Sequence, residues 1–125
     1  MKTITLNPEI NELHKLNEFV LKELPNEDIH VNLITEEIFI NIVNYSKTEF
    51  IKVNVDYADQ ILTLEFIDNG TEFNPLLKKD YVLPDNIAET QIGGLGIFFT
   101  KEFSDELEYH YINGENRLKI TKVIS

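Results

Sequence analysis

The chain has no cysteine among its 125 residues, which excludes disulfides, thiolate metal sites and thiol catalysis and agrees with a reducing compartment. It also has no apolar run long enough to span a bilayer. Its start, Met1-Lys2-Thr3-Ile4-Thr5-Leu6, alternates like a strand and lacks the basic start and apolar stretch of a signal peptide. The expectation is a soluble, cytoplasmic protein with no membrane partner. Basic residues are scarce: 11 Lys and Arg against 22 Asp and Glu give a formal net charge of −11 and a pI near 4.6. Nucleic-acid backbones are held mainly by Lys and Arg, so direct nucleic-acid binding is not expected. A small polyphosphate stays compatible, because a divalent cation, backbone N–H groups and a few local lysines can offset the overall field. His14, His30 and His110 are scattered and show no metal-ligand spacing. There is no repeat, linker or low-complexity tract.

What is present is enough apolar material for one domain over 1–125, at 42% hydrophobic with 10% aromatic residues. A short strand over 2–6 is followed by Pro8, which suits the first turn of a helix with Asn7 as its N-cap. Leu13, Leu16, Val20 and Leu24 give that helix one buried stripe, and Pro25 ends it. Asn26 or Asp28 begins a second helix ending near Ser46. Val31, Ile34, Ile38, Ile42 and Tyr45 form its apolar face, and Leu33, Phe39, Ile40 and Val43 cover much of the rest. Residues 50–57 and 61–67 alternate as an antiparallel hairpin, and 105–112 and 116–123 form a second one around Asn113-Gly114. Between the hairpins, 71–92 has no clean period and suits a lid, and a helix is expected from about Leu95 to Phe103. Grouped helices with antiparallel strands indicate an α+β two-layer sandwich, a mixed but mainly antiparallel sheet backed by helices.

Three short segments carry the chemistry. Glu37, Asn41 and Asn44 make a narrow polar stripe on the greasy second helix. A carboxylate desolvated there costs roughly several kcal/mol unless something pairs with it. The stripe reads either as a solvated helix edge or as a site in which Asn41 gives oxygen to Mg²⁺ and Glu37 acts as a general base. Asp68-Asn69-Gly70 reads either as a turn or as a base-binding corner, where Asp68 accepts from the exocyclic amine of adenine and Gly70 lets the backbone come close. Gly93-Gly94-Leu95-Gly96 opens a helix and reads either as a hinge or as a phosphate loop. It matches neither the P-loop nor the dinucleotide fingerprint.

In order and spacing, Glu37-x-x-x-Asn41, Asp68-Asn69-Gly70-x-x-Phe73-Asn74-Pro75 and Gly93-Gly94-Leu95-Gly96-Ile97 resemble the boxes of the ATPase superfamily that includes gyrase, sensor histidine kinases and mismatch-repair ATPases. The run from Gly93 to Tyr109 most resembles the anti-sigma factor serine/threonine kinases. That resemblance implies a Bergerat-type site for ATP and Mg²⁺ under a lid. In it Glu37 is the base, Asn41 the Mg²⁺ ligand, Asp68 the adenine reader, Gly70 the turn beside the base, and Gly93, Gly94 and Gly96 the phosphate loop. Asn44, Phe73, Leu95 and Ile97 complete the nucleotide-binding set. It further implies phosphorylation of a serine or threonine on an antagonist, an anti-anti-sigma-like protein, together with sequestration of a sigma factor or other regulator and homodimerisation. The alternative is a non-catalytic nucleotide-binding module that sequesters a regulatory partner. A histidine kinase fragment fits less well, since no helix pair with a phosphoacceptor His-Glu motif precedes the boxes. The chain departs from the family pattern at Tyr45, where histidine is usual, and at Gly114-Glu115-Asn116, where a glycine-threonine pair is usual, which bears on base contacts near Asn116 or Thr121. With no arginine in the lid, Lys78, Lys79 and Lys101 are the nearby cations for γ-phosphate.

Overall fold

The computed structural model describes residues 1–74, 100 and 102–124. Strand β1 (Lys2–Leu6) leads through a 3-10 turn at Ile10–Glu12 into α1 (Leu13–Glu23) and then α2 (Ile29–Tyr45). The hairpin β2 (Ile51–Ala58) and β3 (Ile61–Asp68) follows, and the chain closes with β4 (Glu106–Ile112) and β5 (Glu115–Val123). The five strands form one sheet in the order β1-β2-β3-β5-β4, with every pairing antiparallel, so the expected mixed character is absent among the described strands. Both hairpin turns have left-handed central residues, Asp59 and Gln60 at φ 53° and 66°, and Asn113 and Gly114 at φ 52° and 78°. This is the turn twist that matches antiparallel strands.

The start of the first helix differs from expectation. Asn7 does not cap it. Instead the Asn7 N–H donates to the Glu12 carboxylate at 3.2 Å, and Glu9 is extended at φ −131°, so a helix cannot run through it. Glu12 also pairs with Lys15 at 2.6 Å. That ammonium first, and the Asn7 N–H second, hold its carboxyl below the usual value. At the second helix Asp28 is the cap, its carboxylate accepting from the His30 and Val31 N–H groups at 2.9 and 3.1 Å. The end of α1 falls where Leu24 turns extended ahead of Pro25.

The core lies between one sheet face and the two helices. Leu16 and Val20 of α1, and Val31, Ile34, Ile38 and Phe39 of α2, pack on the inward rows Ile51-Val53-Val55, Leu62-Leu64-Phe66 and Leu118-Ile120. Burying such side chains contributes roughly 1.5 to 3 kcal/mol each before entropy is counted. On β3 the inward row ends in a charge: after Leu62, Leu64 and Phe66 comes Asp68. The β3–β5 register sets Asp68 opposite Asn116. Tyr45, expected on the apolar face, is 43% exposed at the end of α2. No helix among the described residues is long and apolar enough to cross a membrane.

Candidate nucleotide site

Where the apolar rows run out, a pocket forms between α2 and the sheet. Its walls are Ile38, Asn41, Ile42 and Ser46 from α2 and its C-cap, Phe66 and Asp68 from β3, Phe73, Tyr109 from β4, and Asn116 and Leu118 from β5. A mostly apolar wall with a few polar groups is the usual make-up of small-ligand pockets.

Four polar residues here are almost fully buried: Ser46 and Asp68 at 3%, Asn41 at 4% and Asn116 at 5% exposure. Asp68 Oδ1 accepts from the Ser46 hydroxyl, from the Gly70 N–H at 2.9 Å and from Asn116 Nδ2 at 3.0 Å. No hydrogen bond from the described residues reaches Oδ2. Asn116 is used at every position. Its amide also donates to the Thr71 carbonyl at 2.9 Å, and its oxygen accepts from the Phe73 N–H at 3.0 Å and from the Tyr109 hydroxyl. Burial pushes the Tyr109 pKa above its ordinary value, with the charges of Glu72 and Asp68 adding to the effect, so this hydroxyl remains a donor at neutral pH.

The turn reading of Asp68-Asn69-Gly70 holds, and the acid offered for base binding also lines the pocket. Asp68 closes a turn on the Gly70 N–H and lines the pocket. Asn69 points elsewhere and ties the α2–β2 loop to the strand end: its Oδ1 accepts from the Thr48 hydroxyl at 2.7 Å and the Glu49 N–H at 2.9 Å. Gly70 is required by close packing, because a Cβ there would overlap the Ser46 carbonyl and hydroxyl. The Thr71 N–H donates to that carbonyl at 2.7 Å.

Asn41, Asp68 and Phe73, all expected from the sequence, thus meet in one pocket. Glu37 is half-buried one turn before Asn41 and is not part of the wall, and Asn44 is exposed. Gly93, Gly94, Leu95, Gly96, Ile97, Lys78, Lys79 and Lys101 lie outside the described residues, as does most of the expected lid. Of the helix expected over 95–103, Thr100, Glu102 and Phe103 are described and helical. Ser46, Tyr109 and Asn116 complete the pocket without having been assigned from the sequence. The one advance signal was the departure of Gly114-Glu115-Asn116 from the glycine-threonine pair.

The Asn41 Oδ1 atom is buried with no hydrogen-bond partner among the described residues. It is a neutral hard-oxygen donor that no described residue uses, and so it fits a Mg²⁺ ion that takes most of its ligands from water and phosphate. No cluster of three or more His, Asp or Glu suited to a metal exists among the described residues.

Two helices layered on an antiparallel sheet, with Asp68 at a central strand end and Asn41 on α2 lining one pocket, form an α+β domain with a pocket at the helix–sheet junction. The model of the histidine kinase-like ATPase domain matches residues 11–122, and the chain belongs to that family. Among solved structures it is similar to the Acinetobacter baumannii histidine kinase AdeS, with a TM-score of 0.55 and 10% identity over 100% of this chain and 68% of that one. At that identity the likeness concerns the fold. A search of curated protein sequences gave no match.

Proposed function

We propose that this chain binds Mg-ATP and acts as a serine/threonine protein kinase on a small antagonist protein in a partner-switching system of the anti-sigma factor type. The observation that carries the nucleotide reading is the meeting of Asn41 and Asp68, distant in sequence, in one apolar pocket, with Asn41 Oδ1 buried and unpartnered among the described residues. Asp68 Oδ2 accepts from the adenine amine while the apolar wall holds the ring. Asn41 supplies one oxygen to Mg²⁺, which when bound neutralises charge on the phosphates. Glu37, one turn away on the same helix, takes the proton of the incoming serine or threonine hydroxyl. That oxygen forms the new bond to the γ-phosphorus as the bond to ADP breaks. The protein partners, antagonist and sigma factor or other regulator, and the homodimer follow from the resemblance to the anti-sigma kinases.

Glu37→Gln tests the catalytic step. It preserves the shape of the helix and removes the base, so ATP titration should be nearly unchanged while single-turnover phosphate transfer to an antagonist-like partner falls by about 10²- to 10⁴-fold. Transfer at the parent rate would remove Glu37 as base. A parent protein that binds ATP and partner but never transfers phosphate would be the sequestering module instead.

A further inference from the structure

We infer that Ser46 and Asn116 set the base preference of this pocket by filling one oxygen of Asp68, so that the carboxylate can accept only one donor from a purine. The inference rests on the nucleotide reading above. A carboxylate with both oxygens open takes two parallel N–H donors, which is what the adjacent N1–H and 2-amino groups of guanine present. An unencumbered aspartate at a strand end would therefore suit guanine at least as well as adenine. In this chain Oδ1 already accepts three donors, from Ser46, from the Gly70 N–H at 2.9 Å and from Asn116 at 3.0 Å, against two lone-pair directions on the atom.

Neither side chain is at liberty to leave. Asn116 is held by Thr71, Phe73 and Tyr109 through its remaining donor and its acceptor. Ser46 is fixed by its backbone, the N–H donating to the Ile42 carbonyl at 3.0 Å and its own carbonyl accepting from Thr71 at 2.7 Å. Oδ2 is what remains. A single exocyclic amine, as in adenine, matches a single acceptor. Guanine would bring a second donor out of water with nothing to receive it, and an unpaired buried donor discriminates strongly between ligands. Ser46 and Asn116 act through Asp68 and are positioning residues.

The test is calorimetric titration of the full chain with the Mg²⁺ complexes of ATP, GTP and ITP. ITP carries the N1–H of guanine but lacks the 2-amino group, so the GTP:ITP ratio reads whether a second oxygen is available. On the parent, ATP should bind at least about tenfold tighter than GTP, and ITP, with one donor for the one free oxygen, at least about threefold tighter than GTP. In the double variant Ser46→Ala/Asn116→Ala, which leaves Oδ1 with the Gly70 N–H alone, GTP should gain about tenfold over ITP, a ratio that a general loss of stability would not move. GTP binding tenfold tighter than ITP on the parent would overturn the inference while leaving the nucleotide site intact. An unchanged GTP:ITP ratio in a folded double variant would do the same. If the variant does not fold, the parent comparison decides alone. Failure of all three nucleotides to bind would overturn both this inference and the nucleotide reading.

Discussion

Under the proposed function, Asn41 is a residue wrong for stability and right for binding. A buried amide oxygen with no partner costs about 1 to 3 kcal/mol relative to a satisfied or apolar replacement. The neighbouring wall residues Ile38, Ile42 and Phe66 would accept a leucine. Asn41→Leu should therefore raise the melting temperature of the unliganded protein and abolish the Mg²⁺ dependence of ATP affinity, read by melting and by titration with and without Mg²⁺. A lower melting temperature, or Mg²⁺ linkage kept intact, would contradict the role given to Oδ1. Asn41 and Asp68 were legible in the sequence because each interrupts a strong apolar pattern, the 3.6-residue period of α2 and the alternation of β3. Ser46 and Tyr109 were not, because nothing local marks them, and Asn116 was marked only by its departure from the glycine-threonine pair. Asn116 meets Asp68 only through strand register, across 48 positions of sequence.

Among the elements, the join between the end of α2 and the start of the segment after β3 does most to shape the pocket. Lys47 turns left-handed at φ 57° just past the helix, and Ser46, Thr48 and Glu49 then bond to Asp68, Asn69 and Thr71. Gly70 is where the two chains come closest. Gly70→Ala should force the segments apart and destabilise the fold by about 1 to 3 kcal/mol, the range of an overpacked site, seen as a lower denaturant midpoint with an unchanged slope. ATP affinity should fall with it, since Asp68 is displaced. An unaltered midpoint would show that the join yields without cost. The sequence marked Gly70 as a place of close approach, but the approach is to Ser46 of the protein itself. The helix boundaries show the same limit of local reading: Asp28 caps α2 as its position suggested, whereas Asn7 was outbid by Glu12, whose carboxylate takes the Asn7 N–H and a lysine together.

At the level of the whole molecule, the sandwich class and both hairpins followed from periodicity and turn chemistry, since alternating strands with polar two-residue turns leave little choice of pairing. The strand order did not. β5 inserts between β3 and β4, and that return places Asn116 beside Asp68 and Tyr109 over the same pocket. The acidic character of the chain, −11 overall, sits oddly with a polyanionic ligand, and the proposed function answers this with a buried acceptor for the base and Mg²⁺ to offset the phosphate charge. The central claim is that the Asp68 pocket is an adenine site. Its most direct test is calorimetric titration of Mg-ATP into the parent protein and into Asp68→Asn, with melting curves for both. The amide can keep an oxygen toward Ser46, Gly70 and Asn116 but must then present an NH₂ to the adenine amine, donor against donor. The parent should bind, and the variant should melt close to it while losing about 1.5 to 3 kcal/mol of binding, roughly ten- to a hundredfold in affinity. Equal ATP affinity in the two proteins, or no binding by the parent, would contradict the account.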